Sequence, residues 1–318
     1  MFDVVALGEV LIDFTFCGVS ESGANLFEQN AGGAPANVMV ACANFGLKTA
    51  FIGKIGADMH GVFLQRVLDN KGVDISGLIK SEDVFTTLAF VQLTASERCF
   101  SFARKPGADT CLAPSEIDLS IVKSAKVFHF GSLSLTNEPA RSATLEAIKA
   151  AGDSGVVVSY DPNYRSTLWK NETEAIHRMR SVLEYVDIIK LSDEETGLLT
   201  GAEDPEKAAQ ELFDRGLSCV VVTLGKKGAQ AFTRCVSTQK EPPKCTPVDT
   251  TGAGDSFWGG FLYKLVTNGK PIRRYNQEEL EDTVNFANAA ASLCIEGRGG
   301  IPSMPTLQEV KKRLSLLF

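Results

Sequence analysis

Apolar positions gather in short runs without alternation, at residues 4–7, 50–55, 126–130, 155–160, 187–191 and 219–224. Strands that are apolar on both sides belong in a sheet covered by helices on both faces, the usual setting of parallel strands. Helical spacing of apolar residues falls between these runs, at 59–70, 138–151 and 205–215. Strand–helix alternation of this kind predicts an α/β fold, a doubly wound and mostly parallel sheet flanked by helices. Two segments break the rhythm, about 14–31 and 85–104. The second predicts a hairpin of 86–93 and 98–104 with a turn at 94–97, and strands projecting from the mouth of such a sheet predict a small β-strand lid. The stretch 239–247, with three prolines, reads as a loop. No linker-like composition and no internal repeat interrupts the chain, so residues 1–318 are read as a single domain.

Composition narrows the possible partners. With 44% hydrophobic and 22% charged residues the chain is of the soluble globular kind. A net charge of −7 speaks against nucleic acid, whose binding rests on clustered Lys and Arg. No uncharged apolar stretch of membrane-spanning length occurs, and no basic segment leads into an apolar run at the N-terminus. The expectation is a cytoplasmic protein without a membrane partner. The eight cysteines lack the C-x-x-C spacing of a zinc or redox site, and the three histidines lie far apart. Neither a G-x-G-x-x-G fingerprint after the first strand nor a Walker A loop is present, so any phosphate must be held another way.

The most informative segment is Asp249-Thr250-Thr251-Gly252-Ala253-Gly254-Asp255, followed by a helix-like stretch at 256–268. Glycines at a loop-to-helix junction let backbone amides converge on the positive end of a helix, which makes an anion hole from Gly252, Ala253 and Gly254. A carboxylate inside such a hole suits a base acting beside a transferring group, and Asp255 holds that place. Taken alone, the pattern reads equally as a glycine-rich turn with an ordinary first-turn Asp. A second glycine pair, Gly32-Gly33-Ala34-Pro35-Ala36-Asn37, opens a helix that ends near Gly46.

These two segments, in this order, resemble the two signatures of the ribokinase-like (PfkB) carbohydrate kinases, and the resemblance covers essentially the whole chain. It implies a ribokinase-like fold and an ATP- and Mg²⁺-dependent sugar kinase with Asp255 as catalytic base. The nucleotide would be held by Gly254 and by Thr223, Gly225 and Gly228 of Val221-Val222-Thr223-Leu224-Gly225-Lys226-Lys227-Gly228, with Asn288 bordering the adenine. Lys190, Ser192 and Glu195 would complete the cofactor side. Here the sequence departs from the family's Asn-x-x-Glu, since Ser192 stands where the amide is usual. The resemblance further implies a potassium ion or similar monovalent cation beside the anion hole, with oxygens from Asp249, Thr251, Cys294, Gly297, Gly299 and Ser303. It also implies pairing as a homodimer through the lid.

Within that family the denser likeness is to fructokinases, through Gly8-Glu9-Val10-Leu11-Ile12-Asp13-Phe14, Phe128-His129-Phe130-Gly131-Ser132, Asp161-Pro162-Asn163-Tyr164-Arg165 and Gly297-Arg298-Gly299-Gly300-Ile301-Pro302-Ser303. By that likeness Asp13, Gly32, Gly33 and Asn37 would bind the sugar, with Arg104 reaching over it from the lid and Arg165 facing the same pocket. A 2-keto-3-deoxygluconate kinase shares the Asp-x-Asn-x-Arg element and stays open as the alternative. Such kinases place an aromatic hydroxyl where this chain has Phe102, which favours a neutral ketose. A reading of a different class, a nucleotide-binding regulatory protein without activity, is disfavoured by Asp255 standing together with its glycines.

Overall fold

The computed structural model describes residues 1–93 and 98–316, so the expected turn at 94–97 lies outside the described residues. Its main sheet contains β1 (Phe2–Leu7), β4 (Thr49–Gly56), β5 (Asp74–Ser81), β8 (Ala125–Gly131), β9 (Val157–Asp161), β10 (Ile188–Ser192), β11 (Cys219–Thr223), β12 (Ala229–Phe232) and β13 (Ser237–Lys240). Their order is β13-β12-β11-β10-β9-β8-β1-β4-β5. The pairs from β11 through β5 are parallel, and β12 and β13 close one edge antiparallel. A second, four-stranded sheet has the order β3-β2-β6-β7, formed by β2 (Leu11–Val19), β3 (Asn25–Gly32), β6 (Leu88–Leu93) and β7 (Arg98–Ala103). It holds the two segments that broke the rhythm of the sequence.

Helices cover both faces of the main sheet. One layer contains α1 (Ala34–Asn44), α2 (Met59–Asn70), α8 (Ala253–Asn268), α9 (Gln277–Cys294) and α10 (Leu307–Ser315). The other contains α3 (Leu119–Lys123), α4 (Ala140–Asp153), α5 (Glu172–Arg180), α6 (Asp193–Thr200) and α7 (Pro205–Asp214). Successive strand residues feed alternate layers: Val4, Ala6, Ile188 and Val221 join the first core, while Val5, Leu7, Ile189 and Val222 join the second. Both sets are buried, which explains apolar runs without alternation. Each fully buried Val, Leu or Ile contributes roughly 1.5–3 kcal/mol of transfer free energy.

The differences from the sequence reading are local. The strand expected at 155–160 begins at Val157, because Gly155 takes a left-handed turn at φ 71°. The helix after the anion-hole motif starts at Ala253, so Asp255 is already helical. The helix expected at 138–151 runs from Ala140 to Asp153. Strand β5, together with β12 and β13, was not anticipated, and the expected loop 239–247 begins inside β13.

Candidate active site

Two helix starts meet at the C-terminal ends of the strands, where doubly wound sheets bind ligands. Gly252, left-handed at φ 79°, opens α8 without a side-chain cap, and Ala253 N donates to the Thr250 carbonyl at 3.3 Å. Gly33, at φ 107°, opens α1, and Pro35 sits in the first turn. Neither glycine of the pair has room for a side chain. A Cβ on Gly33 would stand 2.5 Å from the Glu9 carbonyl oxygen, and one on Gly32 would strike Asp13 Oδ2. The pair therefore lets α1 close against β1 while the Asp13 carboxylate lies over the turn.

A cavity of about 220 Å³ opens between these helix starts. Of the predicted residues it is lined by Asp13, Gly33, Asn37, Arg165, Lys190, Thr251 and the stretch Gly252–Asp255. Asn37 Nδ2 donates to Asp255 Oδ2 at 2.7 Å across 218 residues of sequence, joining the sugar signature to the proposed base. Burial raises the Asp255 carboxyl to about 6, and the Asp161 carboxylate adds to this. The Asn37 hydrogen bond, Lys190 and Arg165 pull it back. Burial likewise raises Asp13 to about 7, against Arg165 and with Asp255 and Asp249.

Lys190 reaches the anion hole from below. Its ammonium pairs with Asp161 at 2.8 Å and lies 3.3 Å from where a Gly254 Cβ would stand. Burial alone would lower this amine, but Asp161 and Glu195 outweigh it and hold the amine above its ordinary value. The site thus holds a buried cation against its glycines. Asp161, at the end of β9, had no assigned role in the sequence reading; its signal was an acidic residue closing an apolar run. Glu9, Leu11, Leu133 and Asn163 also line the cavity without an assigned role, and so does Phe102, which was singled out for its missing hydroxyl. Asn163 is the single non-glycine residue with positive φ, 45°, among the described residues.

Other predicted residues sit nearby in different roles. Ser192 caps α6 in a reciprocal box with Glu195, whose oxygens accept from Ser192 N at 2.8 Å and Tyr164 N at 2.6 Å. Register pairs Ser192 with Thr223 on the neighbouring strand. Gly225 and Gly228 are both left-handed; a Cβ on Gly228 would strike the Lys240 carbonyl oxygen, which also accepts from Asn288 Nδ2 at 2.9 Å. Residues 228 and 288, both expected on the nucleotide side, therefore meet at one backbone oxygen. Arg104 does not line the cavity. Its guanidinium is buried on Asp109 at 2.6 Å, on the Leu133 carbonyl and on Thr136, tying the end of β7 to the main body.

The expected cation ligands also converge. Asp249 accepts from Thr251 N at 2.9 Å through one oxygen and from Gly299 N at 3.0 Å through the other. Gly297 N donates to the Cys294 carbonyl, Ser303 Oγ bonds the Gly299 carbonyl, and Cys294 Sγ lies 3.2 Å from Ser303 Oγ. A larger cavity, about 1080 Å³, lies at the N-terminal ends of β8, β9 and β10 and touches none of the predicted residues. Among the described residues no helix is long and apolar enough to cross a membrane.

Comparison with known proteins agrees with this geometry. The family described as pfkB family carbohydrate kinase matches residues 1–307. A probable fructokinase-6, chloroplastic, of Arabidopsis thaliana is 42% identical over 98% of this chain and 82% of that protein. The crystal structure of a fructokinase with bound ATP from Xylella fastidiosa superposes with a TM-score of 0.92 at 31% identity, covering 100% of this chain and 99% of that one. A double mutant of fructokinase from Vibrio cholerae O395, in a form bound to fructose, ADP and potassium ion, gives 0.88 at 32% identity over 98% of each chain. With the two signatures joined at one cavity and the family matched over nearly its whole length, the chain belongs to the pfkB family of carbohydrate kinases.

Proposed function

We propose that the protein is a fructokinase, transferring the γ-phosphoryl group of ATP to O6 of D-fructose. The observation that carries this reading is the Asn37–Asp255 hydrogen bond at 2.7 Å, which sets a buried carboxylate between the sugar cradle and the anion hole. Asp255 takes the proton of the C6 hydroxyl as that oxygen attacks phosphorus. Its pKa near 6 keeps it ionised at neutral pH, and it need not exceed that value because the hydroxyl becomes acidic only as the new bond forms. Amides of Gly252, Ala253 and Gly254, with the Lys190 ammonium behind them, stabilise the charge developing on the transferred group. Asp13, Gly33, Asn37 and Arg165 orient the ketose. Phe102 lines the same cavity without a hydroxyl, which suits a neutral sugar over an acidic one.

Magnesium would be held on the phosphates of the nucleotide, where it would supply neutralisation of their charge. Among the described residues no group of three His, Cys, Asp or Glu side chains stands ready for a free metal ion, and both Glu195 oxygens already accept backbone N–H. The chain therefore fits a metal carried by phosphate, with Glu195 reached through water. A monovalent cation such as potassium belongs with the carbonyl and hydroxyl oxygens gathered around Asp249, Thr251, Gly299 and Ser303, where it would order the loop that leads into Gly252. The four-stranded sheet serves as lid and as dimer contact in this reading, and the enzyme works in the cytoplasm. A tagged protein that co-purifies with an organelle would move the last assignment, since one relative is named as chloroplastic.

The test is ADP release with ATP and magnesium on fructose, 2-keto-3-deoxygluconate, ribose and glucose. The phosphorylated carbon of the product is located by ³¹P–¹³C coupling. Turnover on fructose with phosphate at C6 is expected. Turnover confined to the acidic sugar, or none with ATP still bound, would contradict the reading.

A further inference from the structure

The side of the main sheet that faces α8 is apolar below the site, with Val4, Ala6, Val127, Ile188 and Val221 in its core. Two polar residues interrupt it, His129 on β8 and Ser159 on β9, which are partners in the strand register. Both are fully buried. Ser159 Oγ accepts from Trp258 Nε1 of α8 at 2.9 Å and lies 3.0 Å from His129 Nδ1. Burial, helped by the nearby Lys190 charge, pushes the His129 imidazole down to about 3, so the ring stays neutral. With the ring proton on Nε2, which has no partner among the described residues, the indole N–H donates to the serine oxygen and the serine O–H donates to Nδ1.

Position gives this small network its meaning. Trp258 follows Asp255 by three residues, one helical turn along the same side of α8. Asp161 follows Ser159 by two residues, on the same face of β9, and it pairs with Lys190 at the anion hole. One hydrogen bond therefore joins the element bearing Asp255 to the element bearing Asp161, one step below the reacting groups. Apolar packing resists separation of helix and sheet but tolerates sliding; a directional bond to a buried indole fixes the seat along the helix axis.

We propose that Ser159, held by His129, is a positioning residue for phosphoryl transfer, setting through Trp258 the seat of Asp255 and the anion hole over the Asp161–Lys190 pair. This rests on Asp255 being the base. An ångström of misplacement is enough to slow a reaction up to about a hundredfold, whereas ground-state binding of fructose and ATP is spread over other groups.

The test is steady-state kinetics with thermal melting on Ser159→Ala, Ser159→Thr, Trp258→Phe and the Ser159→Ala/Trp258→Phe double variant. Each of Ser159→Ala and Trp258→Phe is expected to lower kcat about tenfold, with KM for fructose and ATP within about twofold of wild type. The double variant should be no slower than either single change, and Ser159→Thr, which keeps the hydroxyl, should recover most of the turnover. Active wild type with lowered melting temperatures but unchanged kcat in the variants would overturn the proposal alone, making the network a structural tie only. Wild type without sugar-kinase turnover would sink both this inference and the functional reading. If neither single variant folds, the network is a folding element and the proposal fails.

Discussion

Asp255 is kept at a cost to the protein's own stability. Its carboxyl is buried and its pKa is raised from 3.8 to about 6, chiefly by burial and then by Asp161. A raised folded-state pKa means that the native protein holds the proton more tightly than the unfolded chain does. The associated stability is present below the unfolded value near 3.8 and is lost as pH rises through about 6, a difference of roughly 3 kcal/mol. In the proposed mechanism activity runs the opposite way, since a base must be ionised: kcat/KM should rise from pH 5 to pH 8. Replacing the carboxylate by an uncharged isostere removes the cost. Asp255→Asn is therefore expected to melt higher than wild type at pH 8, with the gain shrinking toward pH 5, as read by thermal unfolding across that range. A lower melting temperature at pH 8 would mean that Lys190, Arg165 and Asn37 overcompensate the buried charge.

At the scale of elements, the four-stranded sheet proposed as a lid is anchored to the main body by a buried ion pair. Arg104 directly follows β7 and is buried on Asp109, whose other oxygen accepts from the Thr87 hydroxyl just before β6. Removing one partner of a buried pair strands the other, so Arg104→Ala should cost roughly 3–5 kcal/mol in denaturant unfolding. If Arg104 served only to touch the sugar, stability would be unchanged and the fructose KM alone would rise.

The same scale shows what could be read from the chain beforehand. The parallel strands were legible because burial on both faces writes an unbroken apolar run, as in Cys219–Thr223. Strand β5 was not, because an edge strand such as Asp-Ile-Ser-Gly-Leu-Ile-Lys-Ser is half exposed and shows neither pattern cleanly. Strands β12 and β13, four residues each at the other edge, are held by register with β11 rather than by their own composition. In the site, the two glycine motifs were legible because only glycine tolerates φ values of 107° and 79° against the backbone packed there. Glu9 and Asp161 were not, since a carboxylate at or just past the end of a strand looks the same whether it caps a helix, pairs with a lysine or meets water. Glu9 in fact accepts from Ala34 N at 3.0 Å and so holds the first turn of α1.

For the whole molecule, the outer sheet exposes aromatic and aliphatic side chains that a lone chain would be expected to hide. Leu26, Phe27 and Phe90 are 45%, 41% and 38% exposed, and Phe27 meets Phe90 edge-on at 6.1 Å. Exposed apolar patches of this kind are candidate interaction sites, and the dimer proposed through this sheet would cover this one. Light scattering after size exclusion should give twice the 34.2 kDa chain mass, and Phe27→Glu should return the monomer. A wild-type monomer at micromolar concentration would leave the patch to another partner.

The central claim is that Asp255 moves the proton while other groups hold the ligands. It is tested most directly by measuring fructose-dependent ADP release and ATP affinity for wild type and Asp255→Ala side by side. The account predicts a loss of about 10²–10⁴ in kcat, with the ATP dissociation constant changed no more than a few-fold. Turnover within tenfold of wild type, or ATP binding lost in parallel with turnover, would contradict it.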